Sequence, residues 1–162
     1  MLASFRTFTY KTLIFVSMYF KYIETKMQLI LLIPLFFYML SGICDSVMDT
    51  CMHHFSTSIF KNKDESFWNT SISWKSKYLN KNPLEGLEKW KILGVSLNKP
   101  VQLTDSFHLF KMLREIYNVA AITTACWVGF DYNIFWLIGY FMILGMVRNL
   151  FFNIFYEKIL RS

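Results

Sequence analysis

Apolar and polar positions in this chain fall into long blocks, not a short alternation. Thr12–Phe20 is apolar but bracketed by Lys11 and Lys21, and it falls short of the roughly 20 residues that a bilayer crossing needs. A second block starts at Met27, runs to Cys44 without a charged side chain, and extends as helix through Asp49 to about His54. Pro34 lies inside it, which a membrane helix tolerates when neighbours satisfy the freed carbonyl. A third block covers about 104–130, polar on one side in its first half and rich in small apolar residues in its second. The fourth, 134–156, is apolar until Arg148. Only Asp131, Tyr132 and Asn133 separate the last two, which predicts a tight antiparallel helical hairpin. Gly42 and Ser46, four apart, form a small-residue strip against which another helix can pack closely.

The expected fold is therefore all-α: an integral membrane bundle of three helices, about 27–54, 104–130 and 134–156. Thr12–Phe20 is a potential fourth. Residues 27–162 read as a single membrane domain, and residues 1–26 as an N-terminal extension or interfacial segment. A signal peptide starting at Met27 is disfavoured, because no A-x-A-like site follows and Ile43 stands where a lipoprotein site needs a small residue.

Composition strengthens the membrane reading. Only 17% of residues are charged and 19% are aromatic, against about 25% charged in soluble domains. The net charge of +6 does not imply nucleic acid, because no recognition module is present and the basic residues flank apolar runs. Residues 56–104 hold eight lysines against four acids, so this loop is expected on the cytoplasmic side of what reads as a bacterial inner membrane. Basic Arg6, Lys11, Lys21 and Lys26 fit that orientation poorly, and translation from Met27 would remove the conflict. Cys44, Cys51 and Cys126 form no CxxC pair and read as reduced, buried thiols.

The loop is polar without being low-complexity. In "FWNTSISWKSKY", Trp68, Trp74 and Tyr78 interleave with Lys75 and Lys77, a mix that suits lipid head groups. "VMDTCMHHFSTSIF", "FWNTSISWKSKY" and "LTDSFHLFK", with "MVRNLFFNIFY" near the end, resemble the successive signatures of a family of small, uncharacterised bacterial and phage membrane proteins. The matching positions are Asp49, His54, Phe67, Trp68, Asn69, Ser73, Trp74, Lys75, Lys77, Tyr78, Asp105, His108 and Arg148. The family reads proline where this chain has Thr70. The resemblance implies membrane location and shared polar positions, with no known reaction, and it does not extend to residues 1–26.

Candidate chemistry gathers at helix ends. Asp45, Asp49 and His53 recur every four residues and share one helix face. Helical geometry thus favours His53, whereas the resemblance favours His54. Asp105 and His108 share a face on the third segment and Arg148 falls toward the same side, so the three helices are expected to point Asp, His and Arg at one pocket in the cytoplasmic leaflet. Carboxylates near hydrocarbon cost a few kcal/mol, so they persist where they pair, line a wet cavity or act chemically. Asp49, His54, Asp105 and His108 supply a divalent-metal ligand set, or a His backed by an Asp as general base. Arg148 suits a lipid phosphate.

Two functions follow. One is a membrane-embedded enzyme acting on lipids or lipid-linked head groups, with Asp49, His54, Asp105, His108 and Arg148 as catalytic residues and a divalent metal as possible cofactor. The other is a non-enzymatic membrane protein in which these groups lock helices together or bind a metal ion. Asp105 after Thr104 also reads as a helix cap. In both, the partners are membrane lipids and not nucleic acid.

Overall fold

The computed structural model describes residues 30–129 and 134–161. The chain divides into two compact units, Met1–Ile33 and Pro34–Ser162, and the core and candidate site lie in the second. The expectations for residues 1–26 and for the 131–133 turn lie outside the described residues.

Three long helices dominate. Helix α1 spans Ile30–His53, close to the expected 27–54, and Pro34 is buried within it. It stops because His54 leaves helical space (φ −136°, ψ 20°). Helix α4 spans Ser106–Gly129. Helix α5 spans Ile134–Asn153 and runs on as a π-helical stretch, Ile154–Leu160. Between α1 and α4 lie two one-turn helices, α2 (Glu65–Trp68) and α3 (Thr70–Ser73).

The all-α expectation needs one correction. Strands β1 (Lys89–Ile92) and β2 (Val95–Asn98) form an antiparallel hairpin. Its two-residue turn, Leu93-Gly94, has positive φ at both positions (50° and 82°), the geometry that matches strand twist. Trp90 faces Leu97 and Ile92 faces Val95, while the lysines alternate to the other face.

Side-chain contacts fix how the helices run. Phe37 stacks on Tyr117 (6.3 Å between ring centroids), and the Ser41 hydroxyl donates to Asn118 Oδ1 at 2.7 Å. Because Asp45 in turn meets Arg114, α1 and α4 are antiparallel. A Cβ on Gly42 would collide with the Arg148 carbonyl oxygen, and further along His54 packs edge-on to Tyr156 (5.6 Å), so α1 and α5 are parallel. The expected small-residue strip is thus real: Gly42 lets two backbones touch, and Ser46 is fully buried.

The segment after α1 folds back over this end of the bundle. Phe60, 7% exposed, joins Val47, Cys51 and Leu160 in the core, with Phe55, Trp68, Phe110 and Phe155 packed around them. Phe60 and Trp68 stack face to face at 4.4 Å. The Ile59 amide donates to the Leu160 carbonyl (3.0 Å), and the Thr70 hydroxyl donates to the Cys51 carbonyl (3.2 Å). Thr70 is the first residue of α3, with Asn69 as its cap. Proline is also tolerated at that position, but it would lose the bond to Cys51. The loop is therefore a built cap tied to α1, α4 and the C-terminal segment.

Two helices, Ile30–His53 and Ile134–Leu160, are long and apolar enough to cross a membrane. Only 11% of the most apolar window of the second is buried. Phe135, Met142, Met146 and Leu150 are all more than half exposed. A helix apolar all round is either the core of a large protein or a membrane span, and among the described residues most of this one's surface is left open. Helix α4 falls outside that pair, since Lys111, Arg114 and Glu115 crowd its first half.

Candidate functional site

Asp45 is the polar centre of the bundle. It projects from α1 between the other two long helices. Arg114 Nη1 on α4 donates to Asp45 Oδ1 at 3.2 Å. Arg148 on α5 donates to Oδ2 through Nε at 3.1 Å and also through Nη2. The Asp45 side chain is 18% exposed, with Arg114 at 23% and Arg148 at 34%. Arg114 is shared with its neighbour Glu115 (Nε to Oε1, 3.1 Å). One carboxylate thereby joins three helices, two arginines and residues 69 and 103 positions apart.

Asp49, one turn further along α1, is arranged differently. It lines an open cleft of about 320 Å³ together with Asp45, Arg148, Asn149 and Phe152. Its carboxylate forms no hydrogen bond or ion pair among the described residues.

Asp105 and His108 sit at the start of α4. The His108 amide donates to Asp105 Oδ1 (2.9 Å), so Asp105 caps the helix and satisfies an otherwise free donor. The His108 ring Nδ1 lies 2.9 and 2.8 Å from the two carboxylate oxygens. A carboxylate only accepts, so Nδ1 carries the proton and Nε2 is left on the outer side. Asp105 is 2% exposed and His108 38%. The Thr104 hydroxyl donates to the Val101 carbonyl and also lies 3.3 Å from Asp105 Oδ2.

The five residues singled out from the sequence therefore occupy three places. Asp49 and Arg148 share the α1–α5 cleft. Asp105 and His108 pair with each other. His54, just beyond α1, packs on Tyr156, while His53 remains in α1 and is exposed. Among the described residues, no three His, Cys, Asp or Glu side chains gather in a way that could hold a metal ion. The reason is local: the Asp105 carboxylate is turned back onto its own helix start, and the break at His54 takes that ring toward α5.

Sequence reasoning placed Asp45 on the polar face but did not single it out, and it passed over Arg114. A signal was present. Of the four arginines in the chain, Arg114 and Arg148 alone lie within the helical apolar blocks, and a carboxylate in an apolar helix calls for such a partner.

Two exposed carboxylates between α1 and α4 are perturbed. Asp64 caps α2, accepting from the Ser66 hydroxyl and amide (both 2.9 Å), and these bonds hold its carboxyl below the usual range. Glu85 is lowered in the same way by the side chains of Asn82 and Asn80. A second polar cleft, about 390 Å³, runs between Asp64, Ser66, Tyr78, Lys81, Glu88 and Lys99, with Lys99 bound to Glu88 at 2.8 Å.

Fold and site together define a mostly helical chain with two helices able to cross a membrane and a folded polar cap at one end. No protein-family model, curated protein or solved structure matches it.

Proposed function

We propose that the chain is an integral membrane protein in which α1 and α5, both apolar and parallel, cross the bilayer and the antiparallel α4, charged in its first half, carries the chain back against them, and that its polar groups serve its architecture and not a reaction. The double ion pair of Asp45 with Arg114 and Arg148 carries this reading. Helices in lipid gain no hydrophobic drive to associate and rely on close packing and polar contacts. Gly42 supplies the first and Asp45 the second, while Asp105 and His108 finish the start of α4. The lysine excess of residues 56–104 supports a cytoplasmic cap, with Trp74, Lys75 and Lys77 at head-group level. Carbonate extraction followed by substitution of Asp45 tests the proposal. The protein stays in the membrane pellet, and Asp45→Asn lowers its thermal midpoint in detergent. Release by carbonate, or an unchanged midpoint, refutes it.

A second reading is favoured by one observation. His108, backed by buried Asp105 and with Nε2 outward, has the arrangement of a general base fixed in one tautomer. This is the enzyme acting on lipid or lipid-linked head groups. Hydrolysis of head-group substrates by the purified protein, abolished in His108→Gln with its stability intact, would establish it over the architectural role.

A further inference from the structure

The cleft between α1 and α5 holds an arrangement that the architecture does not use. Asp45 is matched by two arginines and Glu115 by one of them. Asp49 is left as a carboxylate without a partner among the described residues, at the edge of the same space. Arg148 commits Nε and Nη2 to Asp45, and its Nη1 makes no hydrogen bond to described residues. The Asn149 amide stands beside it, and Phe152 forms an apolar wall.

Such a cleft selects its occupant by charge. A carboxylate so placed favours a cation, yet two carboxylates, one of them already held by two arginines, and one amide fall well short of the six or more oxygens that a hard divalent ion takes. A bare anion meets Arg148 but is repelled by Asp49 and Asp45. A quaternary ammonium cannot donate a hydrogen bond, and one phenyl ring is not the aromatic cage that such groups use. A primary ammonium linked to a phosphate satisfies both ends: three N–H donors toward Asp49, and phosphate oxygens toward Arg148 Nη1 and Asn149. The volume of about 320 Å³ is at the small end of ligand sites, matching a head group and not a whole lipid.

We infer that this cleft binds the aminoethyl-phosphate head group of a membrane lipid, with the ammonium on Asp49 and the phosphate on Arg148 and Asn149. The lipid source rests on the membrane reading above; the chemistry of the cleft does not.

Native mass spectrometry of the full chain, released from detergent with equal amounts of phosphatidylethanolamine, phosphatidylcholine and phosphatidylglycerol, tests it. Phosphatidylethanolamine is retained about tenfold over the other two, the scale of one charge-assisted bond. Asp49→Asn erases that preference, and Asn149→Ala reduces it several-fold. Equal retention of the three lipids, or a preference that survives Asp49→Asn, overturns the inference. If Asp49→Asn does not fold, wild-type selectivity and Asn149→Ala decide. Calorimetry with soluble glycerophosphoethanolamine separates the two claims. Binding there by a chain that carbonate releases keeps the cleft and removes the membrane, whereas failure to bind any aminophosphate by a chain that resists carbonate does the reverse.

Discussion

Asp105 and Asp45 are both largely buried aspartates that meet a cationic or ionisable partner, yet they do opposite kinds of work. Asp105 closes a circuit of three residues, taking the amide and ring of His108. Asp45 closes circuits of 69 and 103 residues, to Arg114 and Arg148. The first organises the start of one helix. The second decides which helices stand together. Removing a local cap frays a turn, whereas removing a long-range charge strips Arg148 of its carboxylate and leaves Arg114 with Glu115 alone, in a poorly solvated seam.

Asp45→Asn should show the largest effect. A fully buried pair broken on one side costs roughly 3–5 kcal/mol, and the partial exposure of Arg148 brings the expectation to about 2–3 kcal/mol, read as a drop in detergent unfolding midpoint. A double-mutant cycle with Arg148→Gln should return a coupling above about 1 kcal/mol. Additive effects would mean that the contact is ornamental.

Gly42→Ala comes next, at about 1–3 kcal/mol, because the added methyl meets backbone of α5 that cannot rotate away. Distance measurements between spin labels on α1 and α5 should report the helices forced apart.

Asp105→Ala should cost about 1 kcal/mol, the usual loss of an N-cap, with protection lost from hydrogen exchange in the first turn of α4 only. Loss of protection across all three helices would erase the contrast with Asp45.

The smallest effect concerns pH. Asp64 is exposed and its carboxyl is lowered by bonds from Ser66. A depressed folded value means that the contribution is present above the ordinary value of 3.8 and is lost as pH falls through the lower folded one. The Ser66 amide resonance should therefore titrate below pH 3.8, and Asp64→Asn should abolish that transition.

Local patterns were legible in the chain. An uncharged run of membrane length, a small residue every four, and an aspartate three before a histidine are all short-range facts. Each reappears as α1, the Gly42 contact and the Asp105 cap. The β1–β2 hairpin is legible too, since "WKILGVSL" alternates around a two-residue turn ending in glycine. Whether Asp49, His54, Asp105 and His108 converge is not readable from the chain, and among the described residues they do not. Residues that share a face on separate helices meet only if rotation, register and helix ends agree. Here the break at His54 and the inward turn of Asp105 set those terms.

By itself the sequence determined where helices can form and which stretches suit lipid, because backbone hydrogen bonding and side-chain transfer act over a few residues. The tertiary structure alone decided that Asp45 is the junction, that Asp49 stands without a partner among the described residues in the α1–α5 cleft, and that residues 55–73 cap the bundle. Those outcomes depend on contacts between positions far apart in the chain, and the energy of an ion pair depends on what has been brought within about 4 Å of it.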